Sequence, residues 1–235
     1  TGMNRLGFIE EEIDNMISII MSQPEVRVKS IFSHLAGSDE SKHNDFTNQQ
    51  VRLFKSLAGK LEEGLGYSVQ KHILNSAGIE NFPKHQLDMV RLGIGVYGNS
   101  SSLKNLEPVG RLKTIITQIK NTPKGSSIGY SRSVFAEEDL TIAVIPIGYA
   151  DGFSRSLSNG KGRVLVNGKL APVIGNVCMD MTLINVTDIE CKEGDEVIIF
   201  GPERPIADLA KEMSTISYEV MTAISQRVVR VYLED

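Results

Sequence analysis

Tryptophan is absent from the 235 residues, and cysteine occurs only twice, as Cys178 and Cys191. Two cysteines are too few for a disulfide framework and lack the spacing of a metal site, so we expect a reducing, cytoplasmic setting and no bound metal. No run of about 18 apolar residues occurs, which argues against a membrane span. The first residues carry no signal-peptide pattern. These absences exclude secreted disulfide-rich proteins and membrane-spanning proteins.

An excess of either charge is also missing. The net charge is −4, and 23% of the residues are charged, so the sequence has no basic surface for nucleic acid or for an anionic membrane. The hydrophobic content of 41% is typical of soluble globular proteins. The length suits one large domain or two modest ones. We therefore expect a small-molecule or protein partner.

The first half of the sequence alternates predicted helices with short predicted strands. Apolar residues at helical spacing predict one helix over 9–20 and another over 51–61 that ends near Gly64 and Gly66. This alternation is typical of parallel βαβ units, whose ligand sites lie at the carboxyl ends of the strands. The predicted strands are 26–32, 69–74 and 90–98.

From about residue 103 the pattern changes to strands and hairpins, and Asn167-Gly168 is a strong hairpin signal. The sequence therefore predicts part of an α/β barrel or open sheet, residues 1–104, followed by a mainly β domain, residues 105–235. In this second part we predict strands at 111–120, 140–147, 163–169, 177–186, 196–200 and 228–233 and short helices at 205–213 and 217–224.

Arg91 is the most unusual residue of the predicted strand 90–98, which otherwise reads as a short buried strand running into a glycine-bearing turn. Burying a guanidinium is costly unless it is paired and hydrogen-bonded. Two interpretations stay open: a structural arginine paired to a carboxylate, or a permanent cation beside a ligand. The glycines would let a backbone approach a ligand and hold an anion with its N–H groups.

Polar residues follow the two earlier predicted strands. His34 follows the strand at 26–32, where its ring nitrogens could donate or accept, although a lone histidine is more often a structural residue. Asn75 and Ser76 follow the strand at 69–74 and offer hydroxyl, amide and backbone donors of the kind that hold a phosphate. Such residues are also ordinary in turns.

Tyr130 lies in a polar stretch of the second half. A tyrosine there is usually a rim or packing residue. To act as a base it needs a nearby cation, because its ordinary pKa is about 10. Segments 149–155 and 175–180 have the composition of turns, and Cys178 is predicted to be a small buried hydrophobe rather than a nucleophile.

Taken together, seven segments in this order and at these intervals resemble the alanine racemase family over essentially the whole chain. The resemblance implies an isomerase dependent on pyridoxal 5'-phosphate that interconverts L- and D-alanine and supplies D-alanine for peptidoglycan. It also implies an eight-stranded α/β barrel, a mainly β carboxy-terminal domain and a head-to-tail homodimer in which each barrel mouth faces the partner's β domain. The segments are 1–7, 33–36, 75–78, 90–98, 129–131, 146–155 and 178–180.

The resemblance implies roles for particular residues on the cofactor. Arg91 would face the pyridine nitrogen, where a permanent cation discourages ring protonation and thereby limits side reactions. His34 would orient Arg91, and Arg5 would contact the phenolic oxygen of the cofactor. The cofactor-binding residues would further include Asn75 and, around the phosphate, Ser76, Gly93, Ile94 and Tyr218.

Other residues would act on the substrate in the partner subunit. Tyr130 would be one of the two acid/base groups that a racemase needs on opposite faces of the α-carbon. Met179 would lie near the substrate carboxylate, and Tyr149 would line the substrate entrance with Arg155 and Asp180 nearby.

The sequence departs from the family at two places. The family's cofactor-bearing lysine lies on the first barrel strand, and neither Lys29 nor Lys71 falls in its motif. We therefore expect an amino-terminally truncated chain that is inactive by itself. Asn176 stands where many members have an arginine at the substrate entrance. A racemase of broader range, for example for serine, and a non-catalytic interaction module remain alternatives.

Overall fold

The structure is a computed structural model that describes residues 1–100 and 106–233. It divides into two compact units, Thr1–Leu106 and Glu107–Asp235. The domain boundary predicted between residues 104 and 105 lies outside the described residues. Within the described ranges, no helix is long and apolar enough to cross a membrane.

The first unit contains two parallel βα repeats. Strands β1 (Ser30–Phe32) and β2 (Gln70–His72) pair in parallel, with Ser30 opposite Gln70. Both strands are shorter than the predicted 26–32 and 69–74. The helices are α1 (Ile13–Met21), α2 (Asn44–Leu65) and the short α3 (Ser76–Asn81).

Helix α2 follows the predicted pattern closely. Its buried side chains include Val51, Phe54 and Leu61, which share one face. The helix ends at Gly66, whose φ of 72° is left-handed, a conformation that glycine adopts without a Cβ penalty. The prediction of a helix that ends at these glycines is therefore confirmed.

The sequence predicts a short buried strand that runs into a glycine-bearing turn over 90–98; the turn is present, but residues 90–93 are not a strand. The segment before this stretch pairs with β2 in parallel through a bridge between His72 and Met89, and the Arg91 N–H donates to the Leu74 carbonyl at 3.0 Å. A 3₁₀ turn, Ile94–Tyr97, then replaces the strand. Its Ile94 side chain is buried, whereas Val96 and Tyr97 are 55% and 51% exposed. The three glycines of the stretch favour a turn over an extended ladder.

The second unit is built from antiparallel strands, as expected for a mainly β domain. A four-stranded sheet has the order β3-β11-β8-β9, a three-stranded sheet the order β10-β7-β4, and β5 and β6 form a separate pair. The elements are β3 (Leu112–Ile115), β4 (Gln118–Thr122), β5 (Ser127–Ile128), β6 (Val134–Phe135), β7 (Leu140–Ile145), β8 (Arg163–Val166), β9 (Lys169–Pro172), β10 (Thr182–Asn185), β11 (Glu196–Phe200), α4 (Ile206–Glu212) and α5 (Ser217–Ala223).

The predicted hairpin at Asn167-Gly168 is confirmed. Strands β8 and β9 pair antiparallel across these two residues, with Val166 opposite Lys169. The φ angles are 47° at Asn167 and 77° at Gly168. Two consecutive positive φ angles define the type I′ turn that fits the twist of a hairpin.

Three other strand predictions for this unit are wrong in extent. The stretch 111–120 forms two strands, β3 and β4, which belong to different sheets. Of 177–186 only β10 is a strand, since residues 177–181 approach the backbone of 148–150 instead. Residues 228–233 are not a strand, and Leu233 is 90% exposed. Alternating apolar residues favour a strand only where a partner strand is at hand.

Candidate active site

Arg91 lies at the centre of a cluster at the carboxyl ends of β1 and β2. Its Nη2 donates to the Ser33 carbonyl at 2.6 Å and to His34 Nδ1 at 3.4 Å. Its Nη1 donates to the His72 carbonyl at 3.2 Å and forms a short hydrogen bond to His72 Nδ1. The guanidinium also lies over the Phe32 ring, with 5.0 Å between its Cζ and the ring centroid.

All of these acceptors are neutral, and within residues 1–100 no carboxylate forms an ion pair with Arg91. Arginine can only donate, so the two histidines must present unprotonated Nδ1 atoms. Burial, and then the Arg91 charge, lower the pKa of His72. Burial and the charges of Arg91 and Arg5 likewise lower the pKa of His34. The cluster therefore holds one uncompensated cation between two neutral histidines.

The hydrogen bonds described for Arg91 use its two terminal nitrogens. None of the described residues accepts from Nε, so that edge of the guanidinium is left for another acceptor. The sequence leaves open whether Arg91 is paired with a carboxylate or faces a ligand. Because no carboxylate within residues 1–100 forms an ion pair with Arg91, the structure favours a cation that faces a ligand.

Ser76 forms a second polar centre beside this cluster. Its Oγ accepts the N–H of Gly93 at 2.8 Å and the N–H of Gly95 at 3.3 Å. The side chain is buried, with 5% of its surface exposed. Asn75 precedes it as the N-cap of α3, and its Oδ1 accepts the Gly78 N–H at 2.9 Å. The cap fixes the start of α3 and so the position of the Ser76 hydroxyl.

The remaining predicted residues of the first unit lie near these centres. Arg5 is exposed, and its charge reaches His34. The Ile94 side chain is buried at the start of the 3₁₀ turn. Lys71 forms a 2.7 Å ion pair with Glu62, and Lys29 is exposed. Within residues 1–100, no hydrogen bond or ion pair is described between either lysine side chain and Arg91.

In the second unit, Tyr130 lies in a tight turn between β5 and β6 rather than in a strand. It is 70% exposed. The Arg132 guanidinium lies over the Phe135 ring, with 5.2 Å between its Cζ and the ring centroid. Asn176 donates to the Tyr130 carbonyl at 3.2 Å, which connects the turn to the segment 175–180.

Two turns predicted as part of the substrate entrance meet in the same unit. The Tyr149 N–H donates to the Cys178 carbonyl and the Ala150 N–H to the Met179 carbonyl, each at 3.0 Å. Arg227 bridges the turns, with Nε on Asp151 Oδ1 at 2.7 Å and Nη2 on Asp180 Oδ1 at 2.6 Å. Tyr149 and Met179 are thus held side by side and largely exposed.

Despite burial, the ion pair with Arg227 lowers the pKa of the Asp151 carboxyl. Burial raises its pKa, but the hydrogen bonds from Arg227 and from the Gly148 N–H outweigh burial and hold the pKa below its ordinary value. The same ion pairs raise the pKa of the Arg227 guanidinium. The pair therefore stays charged at neutral pH and keeps the two turns together.

Two predicted residues lie apart from these contacts. Tyr218 is half-exposed on α5, and Arg155 is exposed at the start of a 3₁₀ turn. Both belong to the second unit.

Sequence reasoning missed two residues that organise the site. His72 was missed because it lies within the predicted strand 69–74, where a histidine is usually a packing residue. The sequence indicates its role only through its position opposite Arg91 in a predicted parallel strand pair. Arg227 lies far along the chain from both of its partners. Asp151 and Asp180 lie in neighbouring turns, so a cationic side chain is expected between their carboxylates. The sequence does not indicate which lysine or arginine supplies it.

The lowered histidine pKa values predict a pH-dependent stability of the first unit, which contains all four histidines. A histidine whose pKa is lowered by folding binds protons more weakly when folded, so the free energy of unfolding should fall as the pH drops below the ordinary value of 6.5. Urea unfolding followed by circular dichroism of the helices at pH 7.5 and pH 5.5 measures this. His72→Gln should reduce the pH dependence.

The matched control for this prediction is His43→Gln, at an exposed site at the start of α2. It should leave the pH dependence as it is in the unsubstituted chain. Equal slopes for the unsubstituted chain and for His72→Gln would contradict the assignment of a neutral, arginine-bound His72.

The fold and the two polar centres define a class: part of an α/β barrel with polar side chains at the carboxyl ends of its strands, followed by a mainly β domain. Comparison with known proteins identifies the family. Residues 109–232 match the family model described as "Alanine racemase, C-terminal domain", and residues 1–101 match "Alanine racemase, N-terminal domain". The chain belongs to the alanine racemase family, which confirms the fold class predicted from the sequence.

Individual relatives agree with this assignment. The chain is 41% identical to the alanine racemase of Clostridium tetani, covering 100% of this chain and 64% of the relative. Among solved structures, it is similar to an alanine racemase from D-cycloserine-producing Streptomyces lavendulae, with 30% identity and a TM-score of 0.92. The match covers 100% of this chain and 64% of that structure's chain. The structure of an alanine racemase from Bartonella henselae with covalently bound pyridoxal phosphate matches with 32% identity and a TM-score of 0.87. This match covers 99% of this chain and 64% of that structure's chain. The chain thus spans just under two thirds of the relatives it matches.

Proposed function

We propose that the full-length encoded protein is an alanine racemase that uses pyridoxal 5'-phosphate to interconvert L- and D-alanine, supplying D-alanine for peptidoglycan. It would act in the cytoplasm as a head-to-tail homodimer. Residues 1–104 would contribute to the cofactor-binding barrel, and residues 105–235 would form the β domain that completes the partner's site. The observation that best supports this proposal is the Arg91 cation, whose described acceptors are all neutral and whose Nε edge is left for a ligand.

The residues present fit a phosphorylated pyridine cofactor. Ser76 Oγ accepts the Gly93 and Gly95 N–H groups, so its own hydroxyl hydrogen would remain to donate to a dianionic phosphate at this turn, with Gly93 and Ile94 around it. Tyr218 would add a hydroxyl, and Arg5 would neutralise the phenolic oxygen. When bound, the cofactor supplies an electron-withdrawing ring that makes the α-proton of the amino acid acidic.

Arg91 would face the ring nitrogen through its Nε–H. A permanent cation there opposes protonation of that nitrogen, which favours racemisation over reactions that need a more electron-poor ring. His34 and His72 hold the opposite edge of the guanidinium and so set its direction. Asn75 does not need to contact the cofactor: as the N-cap of α3 it positions Ser76, the first residue of that helix.

Proton transfer requires two groups on opposite faces of the α-carbon. We assign one of them to Tyr130 of the partner subunit, whose exposure leaves its hydroxyl available to another chain. Met179 would lie near the substrate carboxylate, and Tyr149, Arg155 and Asp180 would line the entrance. Neither Lys71, which is paired with Glu62, nor exposed Lys29 is a candidate for the opposite base.

The role of Arg91 can be tested with Arg91→Glu in the full-length protein. A carboxylate at this position would hold a proton on the ring nitrogen, so the visible absorbance of the bound cofactor should change and kcat for racemisation should fall about 100-fold. Absorbance after addition of pyridoxal phosphate and the rate of D-alanine formation measure the two effects.

The matched control is Arg52→Glu, at an exposed position on α2 away from the cluster. It should change neither quantity. A wild-type protein that shows no cofactor absorbance would contradict the proposed cofactor, and an Arg91→Glu variant with the wild-type rate would contradict the role of Arg91.

A further inference from the structure

The turn that carries Tyr130 has an unfavourable backbone. Three residues around the tyrosine have positive φ angles: 71° at Gly129, 63° at Ser131 and 48° at Arg132. Glycine tolerates this region, but residues with a Cβ do so at a cost. Such a conformation persists only where the surrounding structure holds it in place.

Asn176 supplies the contacts that hold this turn from the side. Its Nδ2 donates to the Tyr130 carbonyl at 3.2 Å and to the Ser133 hydroxyl at 3.2 Å. One amide group thus binds both ends of the turn. Its Oδ1 accepts the side-chain N–H of Asn159 at 3.3 Å. The Tyr130 carbonyl can only accept, so it requires the NH2 end of the Asn176 amide on this side and leaves Oδ1 to face Asn159.

The backbone around Asn176 leaves it little freedom to move away. A Cβ on Gly175 would lie 3.3 Å from the Ile128 carbonyl oxygen, and one on Gly129 would lie 3.6 Å from the Asn176 nitrogen. The end of β5 and the segment 175–176 are therefore in close backbone contact. The Asn176 amide is consequently presented to the turn in one fixed position.

The Tyr130 side chain has no such support of its own. Within residues 106–233 no hydrogen bond or ring contact is described for its phenol, and the side chain is 70% exposed. The backbone that carries the phenol therefore determines where the phenol is placed. Strands β5 and β6 pair on either side of this backbone, and between them the Asn176 amide hydrogen-bonds to the turn.

From these contacts we infer that Asn176 is a positioning residue for Tyr130: it locks the strained 129–133 turn so that the phenol is presented in the geometry that proton transfer requires. This inference rests on the proposed function, which makes Tyr130 an acid/base group. A neutral amide achieves the positioning without adding a charge at the substrate entrance. A misplacement of about 1 Å can cost about 100-fold in rate, so such support matters for turnover.

The test uses the full-length protein with Asn176→Ala, which removes the donors and the acceptor, and Asn176→Asp, which keeps the shape and the acceptor but loses the donors. Amide hydrogen exchange of residues 129–133, followed by mass spectrometry, should become about tenfold faster in both variants, with unchanged exchange in β7, β8 and β11. Asn121→Ala, at an exposed site on β4, is the matched control and should behave as wild type.

Kinetics provide the second readout. Both variants should lower kcat about 10- to 100-fold with little change in KM. Because Tyr130 serves only one face of the α-carbon, the deuterium isotope effect of α-deuterated alanine should rise in one direction of the reaction and stay constant in the other.

The outcomes separate this inference from the proposed function. Loss of turnover in Tyr130→Phe together with wild-type exchange and isotope effects in both Asn176 variants would overturn the inference and leave the proposed function standing. Faster exchange throughout the strands of the second unit would also overturn it, since Asn176 would then be a general packing residue. Full turnover in Tyr130→Phe would overturn the acid/base role itself, while the exchange data would still report on the turn.

Discussion

Tyr130→Phe in the full-length protein is expected to lower kcat for alanine racemisation by about 10² to 10⁴, the range that a positioned acid/base group contributes. The substitution removes only the hydroxyl. That hydroxyl makes no described hydrogen bond within residues 106–233, so the fold should be unaffected. Coupled assays of D-alanine from L-alanine, and of L-alanine from D-alanine, measure the loss in both directions.

Tyr232→Phe is the matched control for this prediction. Tyr232 is 84% exposed and has no place in the proposed site, so its substitution should leave both rates unchanged. Equal rates for Tyr130→Phe and Tyr232→Phe would contradict the assignment of Tyr130. A loss of activity accompanied by weaker cofactor absorbance would point to cofactor binding rather than to proton transfer.

Gly148→Ala is expected to destabilise the second unit by about 3 kcal/mol, the upper part of the range for forcing a methyl group into packed structure. A Cβ at this position would lie 2.3 Å from both the Cys178 and the Met179 carbonyl oxygens. These are backbone atoms and cannot rotate away. The φ of −146° at Gly148 suits any residue, so the expected effect is steric rather than conformational.

The methyl group would also separate the turns that carry Tyr149 and Met179, because the two 3.0 Å backbone hydrogen bonds between 149–150 and 178–179 depend on this approach. Urea unfolding of the 235-residue chain measures the loss of free energy of unfolding. Hydrogen exchange in β7 and β10 is a second measurement of the same loss. Gly110→Ala is the control, since a Cβ there meets nothing within 4 Å. A Gly148→Ala chain as stable as the Gly110→Ala chain would show that the two turns are not packed as described.

The parts of the fold that the sequence predicts well are those set by local chemistry. Helix α2 has an apolar face, a glycine at its end and enough length to reveal both, so its course is evident from the residues alone. The β8-β9 hairpin is fixed by Asn167-Gly168, whose backbone preferences match a single turn type. Strand β11 coincides with the predicted 196–200.

The parts that the sequence does not predict depend on distant partners. Residues 228–233 are rich in the apolar and β-branched residues that favour a strand, but no described strand pairs with them. The stretch 90–98 combines apolar residues with glycines, and whether it forms a ladder or a turn depends on contacts with Ser76. Secondary structure of this kind is decided by tertiary context rather than by local propensity.

The same distinction applies to the candidate site. His34 follows a predicted strand and Arg91 lies in an apolar stretch, which makes both visible in the sequence, and the structure places Arg91 Nη2 3.4 Å from His34 Nδ1. Ser76 and Gly93 belong to separate predicted turns and lie 2.8 Å apart. His72 and Arg227 escape sequence reasoning, because their importance comes entirely from neighbours that are remote in sequence.

Incubation of the full-length protein with pyridoxal phosphate and enantiopure L-alanine tests the central claim most directly. Chiral chromatography should show D-alanine accumulating until the two enantiomers are present in equal amounts, and the same mixture should form from D-alanine. Parallel reactions with L-serine and L-lysine should be slower. The absence of D-alanine, or a faster reaction with serine than with alanine, would contradict an alanine racemase.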